Sequence, residues 1–182
     1  MPRLFTALEV PTDVRMSLTG LRGGLRGARW IEPENYHITL RFIGDVDDRT
    51  ADDVADALDR VHAKNVRIHL QGLGSFGSKK PHSVWARVSP DRNLMELQAE
   101  HERVLQKVGL EPERRRYTPH VTVARLKGAS PVEVASWLAV RGDFSARPYA
   151  APRFVLMSSK ASVGGGPYIV EESYALRIAE AA

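Results

Sequence analysis

One four-residue pattern occurs twice in this 182-residue chain, as His37-Ile38-Thr39-Leu40 and as His120-Val121-Thr122-Val123. In both, polar and aliphatic residues alternate as they do on a half-buried strand. Side chains on a strand alternate faces, so His37 and Thr39 share one face with Ile38 and Leu40 behind them, and His120 and Thr122 do the same over Val121 and Val123. Each strand therefore presents one imidazole and one hydroxyl. A helical stretch and further strands follow each copy, which predicts two similar halves around one cleft.

The rest of the chain is consistent with that plan. Residues 4–10 read as a strand ending at Pro11, and Val14, Leu18, Leu21 and Leu25 fall at helical spacing. Gly20, Gly23 and Gly24 each weaken that helix by about 1 kcal/mol relative to Ala. Residues 36–43 alternate as a strand. Thr50 is then expected to cap a helix with Val54, Leu58 and Val61 on its buried stripe and Asp52 and Asp53 in its first turn. Residues 66–73 and 83–88 read as strands joined by a turn-rich loop over 74–81. Asp91 is expected to cap a long helix ended by Gly109, 119–126 reads as a strand, and Ser130-Pro131-Val132-Glu133 is a capping box for a helix to about residue 140. Residues 144–149, 153–159 and 168–178 are strand-like, with a glycine turn over 164–166. Hairpins interleaved with helices predict an α+β fold: two pseudo-symmetric lobes of antiparallel sheet with outer helices around a central cleft, forming one domain over residues 1–182.

Composition narrows the chemistry. The chain has no cysteine, which excludes disulfides, thiolate metal sites and cysteine nucleophiles. No run approaches the roughly 18 apolar residues of a membrane span, and the start shows no signal-peptide pattern, so a cytoplasmic location is expected. Lys plus Arg number 26 against 22 Asp plus Glu, giving a net charge of +4 carried mostly by arginine, whose planar fork suits phosphate. The densest cluster, Arg114-Arg115-Arg116, runs directly into the second motif, and with Lys79 and Lys80 it offers a path for a polyanion. Solvated loop charge is the plainer alternative.

Two imidazoles and two hydroxyls facing each other would suit phosphodiester cleavage, one His taking a proton from the attacking oxygen and the other protonating the leaving oxygen. The threonines would donate to non-bridging phosphate oxygens. Nothing in this set requires a metal or any other cofactor. The remaining histidines carry weaker signals. His101 falls on the apolar stripe of its helix, His62 lies at a helix end, and His69 and His82 lack partner motifs.

These motifs, with Arg3-Leu4-Phe5, Arg29-Trp30, Tyr117-Thr118-Pro119 and Phe154-Val155-Leu156, resemble the two-histidine phosphoesterase superfamily and within it the RNA 2′,3′-cyclic phosphodiesterases, also called 2′-5′ RNA ligases. The resemblance implies metal-independent opening of a terminal 2′,3′-cyclic phosphate to a 2′-phosphate, with weak reverse ligation, and no cofactor. It implies His37 as general acid, His120 as general base, and Thr39, Thr122 and Arg125 as phosphate contacts; given an RNA substrate, the basic run beside the second motif, with Lys79 and Lys80, would guide its backbone, Arg116 among the contacts. Arg125 lies an odd number of residues after His120, so it reaches the same face only if a bulge intervenes. Phe42, at the matching place after His37, packs either against the terminal nucleotide or in the core behind Ile38 and Leu40. Expected partners are RNA with a 2′,3′-cyclic end, tRNA-derived ends included, or cyclic nucleotides, bound by a monomer. An RNA-binding module without turnover is the alternative from another class.

Overall fold

The computed structural model describes residues 3–62, 64–159 and 166–176. Its first strand, β1 (Arg3–Glu9), is followed by α1 (Thr12–Thr19), β2 (Ala28–Trp30), a single 3-10 turn over Pro33–Asn35, β3 (His37–Asp45) and α2 (Asp48–Leu58). Next come β4 (Val66–Ile68), β5 (Leu70–Phe76), β6 (Ser83–Val88), α3 (Arg92–Val108) and β7 (His120–Leu126). The chain continues with α4 (Pro131–Val140), β8 (Tyr149–Ala151), β9 (Arg153–Ser159) and β10 (Tyr168–Ala175).

Two four-stranded antiparallel sheets carry the fold, in the orders β10-β9-β1-β3 and β2-β7-β6-β5, with β4 and β8 forming a separate pair. Each motif strand thus lies in its own sheet, which is the two-lobed α+β arrangement expected. Behind the sheets a single apolar core joins Leu8, Ile38 and Leu40 to Val84, Val121 and Val123 and to the inner faces of the helices, including Val54, Leu97 and Trp137. A smaller cluster of Phe5, Ala7, Val155 and Met157 lies on the other face of the first sheet, under Tyr168.

Local chemistry explains most element ends, and some differ from expectation. The first helix stops at Thr19 instead of reaching Leu25, because Gly20 opens a stretch in which Gly23 and Gly24 adopt positive φ. The cap of α2 is Asp47, whose carboxylate accepts the Thr50 amide at 2.7 Å; Thr50 lies within the first turn, and Asp52 and Asp53 fall beyond it. Asp91 and Ser130 cap α3 and α4 as expected, and Gly109 ends α3 at φ 105°. The 66–73 strand is two strands. The strand expected over 144–149 is displaced to Tyr149–Ala151, and β10 ends at Ala175. Strand β2 escaped the sequence reading because three residues are too few to show a period. Of the glycine turn over 164–166, residues 164 and 165 lie outside the described residues.

Candidate active site

A β-bulge just after the threonine sets the polar face of each motif strand. Along β3, Ala7 pairs with Thr39 and Thr6 with Arg41, which leaves Leu40 as an extra residue. Along β7, Trp85 pairs with Thr122 and Val84 with Ala124, which leaves Val123 extra. A bulge inserts one residue and so reverses which later positions face outward. In both strands the third and fourth residues after His are buried and the fifth is exposed, placing Phe42 and Arg125 on the faces of their histidines. The bulge that Arg125 requires is therefore present. Of the two places open to Phe42, it occupies the cleft, while Arg41 takes the inward position.

The cleft has a volume of about 360 Å³ and is lined by His37, Thr39 and Phe42 from one sheet and by His120, Thr122 and Arg125 from the other. All six therefore converge. Each imidazole is held the same way. His37 Nδ1 lies 2.9 Å from the Asn35 carbonyl and His120 Nδ1 2.6 Å from the Thr118 carbonyl, two residues upstream in both cases. A carbonyl only accepts, so Nδ1 carries the proton and the lone pair of the neutral ring is on Nε2. The Thr39 hydroxyl donates to His37 Nε2 at 3.0 Å.

Aromatic rings enclose both imidazoles. His37 lies between Phe5 and Tyr168, with centroids at 5.0 and 5.1 Å. His120 lies between Phe76 and Trp85 at 5.0 and 5.3 Å. Enclosure disfavours the charged ring: desolvation pulls His37 down to about 4, with the positive charge of a protonated His120 and of Arg125 acting in the same sense. Desolvation and Arg125 also lower His120. Both rings are thus neutral at pH 7, and Nε2 is the nitrogen of each that can take a proton.

A second groove of about 440 Å³ adjoins the first. The two share Thr39, Phe42, Phe76, His82 and His120. Arg115, Arg116 and Tyr117 line the second groove only, whereas Arg114, Lys79 and Lys80 line neither. Sequence reasoning therefore placed Arg116 near the site but gave no role there to His82, Phe5, Phe76, Trp85, Tyr117 and Tyr168. Their aromatic character is visible in the sequence, but the strand pairing that brings them to the histidines is not. His101 is wholly buried, bonded to the Leu97 carbonyl at 2.8 Å and far in role from the cleft. Among the described residues, no three His, Asp or Glu side chains converge as metal ligands would, and no helix is long and apolar enough to cross a membrane.

Comparison with known proteins agrees with this geometry. Residues 8–86 and 87–168 each match the family described as LigT-like phosphoesterase, one match per motif. An RNA 2′,3′-cyclic phosphodiesterase of Aeropyrum pernix is 42% identical over 101 residues, 54% of this chain and 57% of that protein, so the match spans little more than half of the relative. A protein of the same name from Archaeoglobus fulgidus is 31% identical over 73% of this chain and 77% of its own length. The fold is similar to that of Escherichia coli LigT crystallised with 3′-AMP, with a TM-score of 0.80 over 97% of this chain and 99% of that one, at 23% identity.

Proposed function

The chain belongs to the LigT-like phosphoesterase family, and from that membership we propose that it is an RNA 2′,3′-cyclic phosphodiesterase working as one two-lobed domain by paired-histidine acid–base catalysis without a metal. The observation that supports this most is the matched pair of imidazoles lining one cleft, each with Nδ1–H on a carbonyl so that Nε2 is the nitrogen left to exchange a proton.

In this reading the cyclic phosphate enters as an anion beside Arg125. Its negative charge opposes the desolvation, and the lesser repulsion from Arg125, that keep the two rings neutral, so one of them can hold a proton. His120 Nε2 takes the proton of the attacking water as its oxygen bonds to phosphorus. The P–O3′ bond breaks, His37 Nε2–H delivers its proton to O3′, and the products are a 2′-phosphate and a free 3′-hydroxyl. Thr39 and Thr122 donate to the non-bridging oxygens, and Thr39 leaves His37 to do so. With a 5′-hydroxyl end in place of the water, the same transfers break P–O3′ and form a 2′-5′ bond. The second groove, with Arg115 and Arg116 beside Phe42 and Tyr117, favours RNA over a free cyclic nucleotide, since a mononucleotide leaves it empty.

The test is hydrolysis of a short RNA ending in a 2′,3′-cyclic phosphate, with EDTA present. The expected product is the 2′-phosphate, with His37→Ala and His120→Ala each slowing turnover by about 10²–10⁴-fold. Binding without turnover by the unchanged protein would replace the enzyme by a binding module. Activity surviving both substitutions would place the chemistry elsewhere.

A further inference from the structure

We infer that Tyr117 and the Arg41–Glu102 ion pair are positioning residues that fix the separation of the two imidazoles; this rests on the function proposed above. After α3 the chain runs from Gly109 to Pro119 before entering β7, and on the way it is tied to β3 in the other sheet. The Tyr117 hydroxyl donates to the Thr39 carbonyl at 2.8 Å. Arg41 donates through Nε to Glu102 at 2.6 Å, through Nη1 to the Phe42 carbonyl at 2.6 Å and through Nη2 to the Glu111 carbonyl. Glu102 in turn accepts the Glu113 amide and the Gln106 side chain, each at 2.9 Å. Arg41 is only 7% exposed, and its fork is divided between this loop, α3 and the carbonyl of its own neighbour Phe42.

These bonds have a specific consequence at the site. Thr39 bonds His37 through its hydroxyl and Tyr117 through its carbonyl. The residue after Tyr117 is Thr118, whose carbonyl holds His120. A continuous path of hydrogen bonds and backbone between the two imidazoles therefore crosses from one lobe to the other at the Tyr117–Thr39 hydrogen bond. Arg41 anchors the same loop from the bulge one residue past Leu40. Misplacing reacting groups by about 1 Å can cost 10²-fold in rate, so a cross-lobe bond at this point acts on turnover more than on affinity.

The test is Tyr117→Phe, which keeps the ring in the groove and removes one hydrogen bond. On the cyclic-phosphate RNA we expect kcat to fall about tenfold with KM within twofold, and Arg41→Lys, which keeps the charge but loses the fork, to do the same. Because both hold one loop, the double variant should lose less than the product of the two single effects. A raised KM at unchanged kcat would make Tyr117 a substrate contact. A lowered thermal midpoint with unchanged kcat and KM would make the ties structural only, and either result overturns the proposal. Imidazole ¹⁵N spectra separate this from the proposed function: Tyr117→Phe should shift the His120 ring signals whether or not the protein turns over, and unchanged signals would overturn the positioning role even in an active enzyme.

Discussion

The two motif strands are built alike as far as the bulge and then diverge. Both have a histidine held by the carbonyl two residues upstream, a threonine on the same face and an aliphatic bulge residue. At the next position the first strand buries Arg41 and the second Ala124, and one residue further Phe42 enters the cleft from one lobe and Arg125 from the other. One backbone device thus carries opposite chemistry in the two halves. The result is a near-symmetric scaffold with a polar direction: the second lobe offers a cation to an anion, and the first offers an apolar ring to whatever the anion is attached to.

The largest effect expected concerns an imidazole that serves as a control for the cleft pair. His101 is buried against Phe154 and held down to about 4, chiefly by desolvation. Its folded value lies below the unfolded 6.5, so the unfolded chain binds the proton first. The stability this neutral ring contributes is complete above about pH 6.5 and is lost as pH falls toward 4, by about 3 kcal/mol. Urea unfolding at pH 7 and pH 4.5 should show that loss, and His101→Leu should reduce it. Inorganic phosphate should raise the NMR titration point of His37, which faces the cleft, and leave that of His101 alone. Equal responses would erase the distinction between cleft and core.

The polarity of the cleft is tested next. Arg125→Ala should lower kcat/KM about 100-fold, in line with the 1.5–3 kcal/mol of a hydrogen bond to a charged group. Phe42→Ala should cost less than about tenfold, because Phe42 is already 49% exposed and only part of its ring has apolar contact to lose. Similar losses from both would mean that the site has no direction. A smaller effect, several-fold in kcat, is expected from Gly74→Ala: a Cβ there would overlap the Trp85 ring, which packs on His120. Among the described residues no glycine meets a ring packed on His37, so the Gly74→Ala perturbation should reach one imidazole only.

The smallest effect should come from the arginine run. Arg116→Ala should weaken RNA binding and reduce its logarithmic salt slope by about 0.7, the value for one single-strand phosphate contact. Arg114→Ala, outside both grooves, should change neither quantity, and neither variant should alter turnover of a mononucleotide.

Much of this was legible in the residues. The two strands, the shared face of His and Thr, and the need for a bulge before Arg125 all follow from a period of two and a fixed spacing. Helix α3 was bounded by Asp91 and Gly109, whose cap chemistry is local. What could not be read depends on partners distant in sequence. Phe5 and Tyr168 reach His37 only because β1 and β10 both join its sheet, and Trp85 reaches His120 only through the pairing of β6 with β7. Phe42 was undecided for the same reason, since its direction depends on a bulge that shows only in the register with β1.

The bulges also make the fifth residue after each histidine a socket that can be refilled without disturbing what lies behind it. The backbone there is already turned outward, and the two preceding side chains seal the interior. Exchanging Phe42 and Arg125 would then reverse the orientation in which a nucleotide lies, as a plug is reversed in a two-pin outlet, with the core of neither lobe rebuilt.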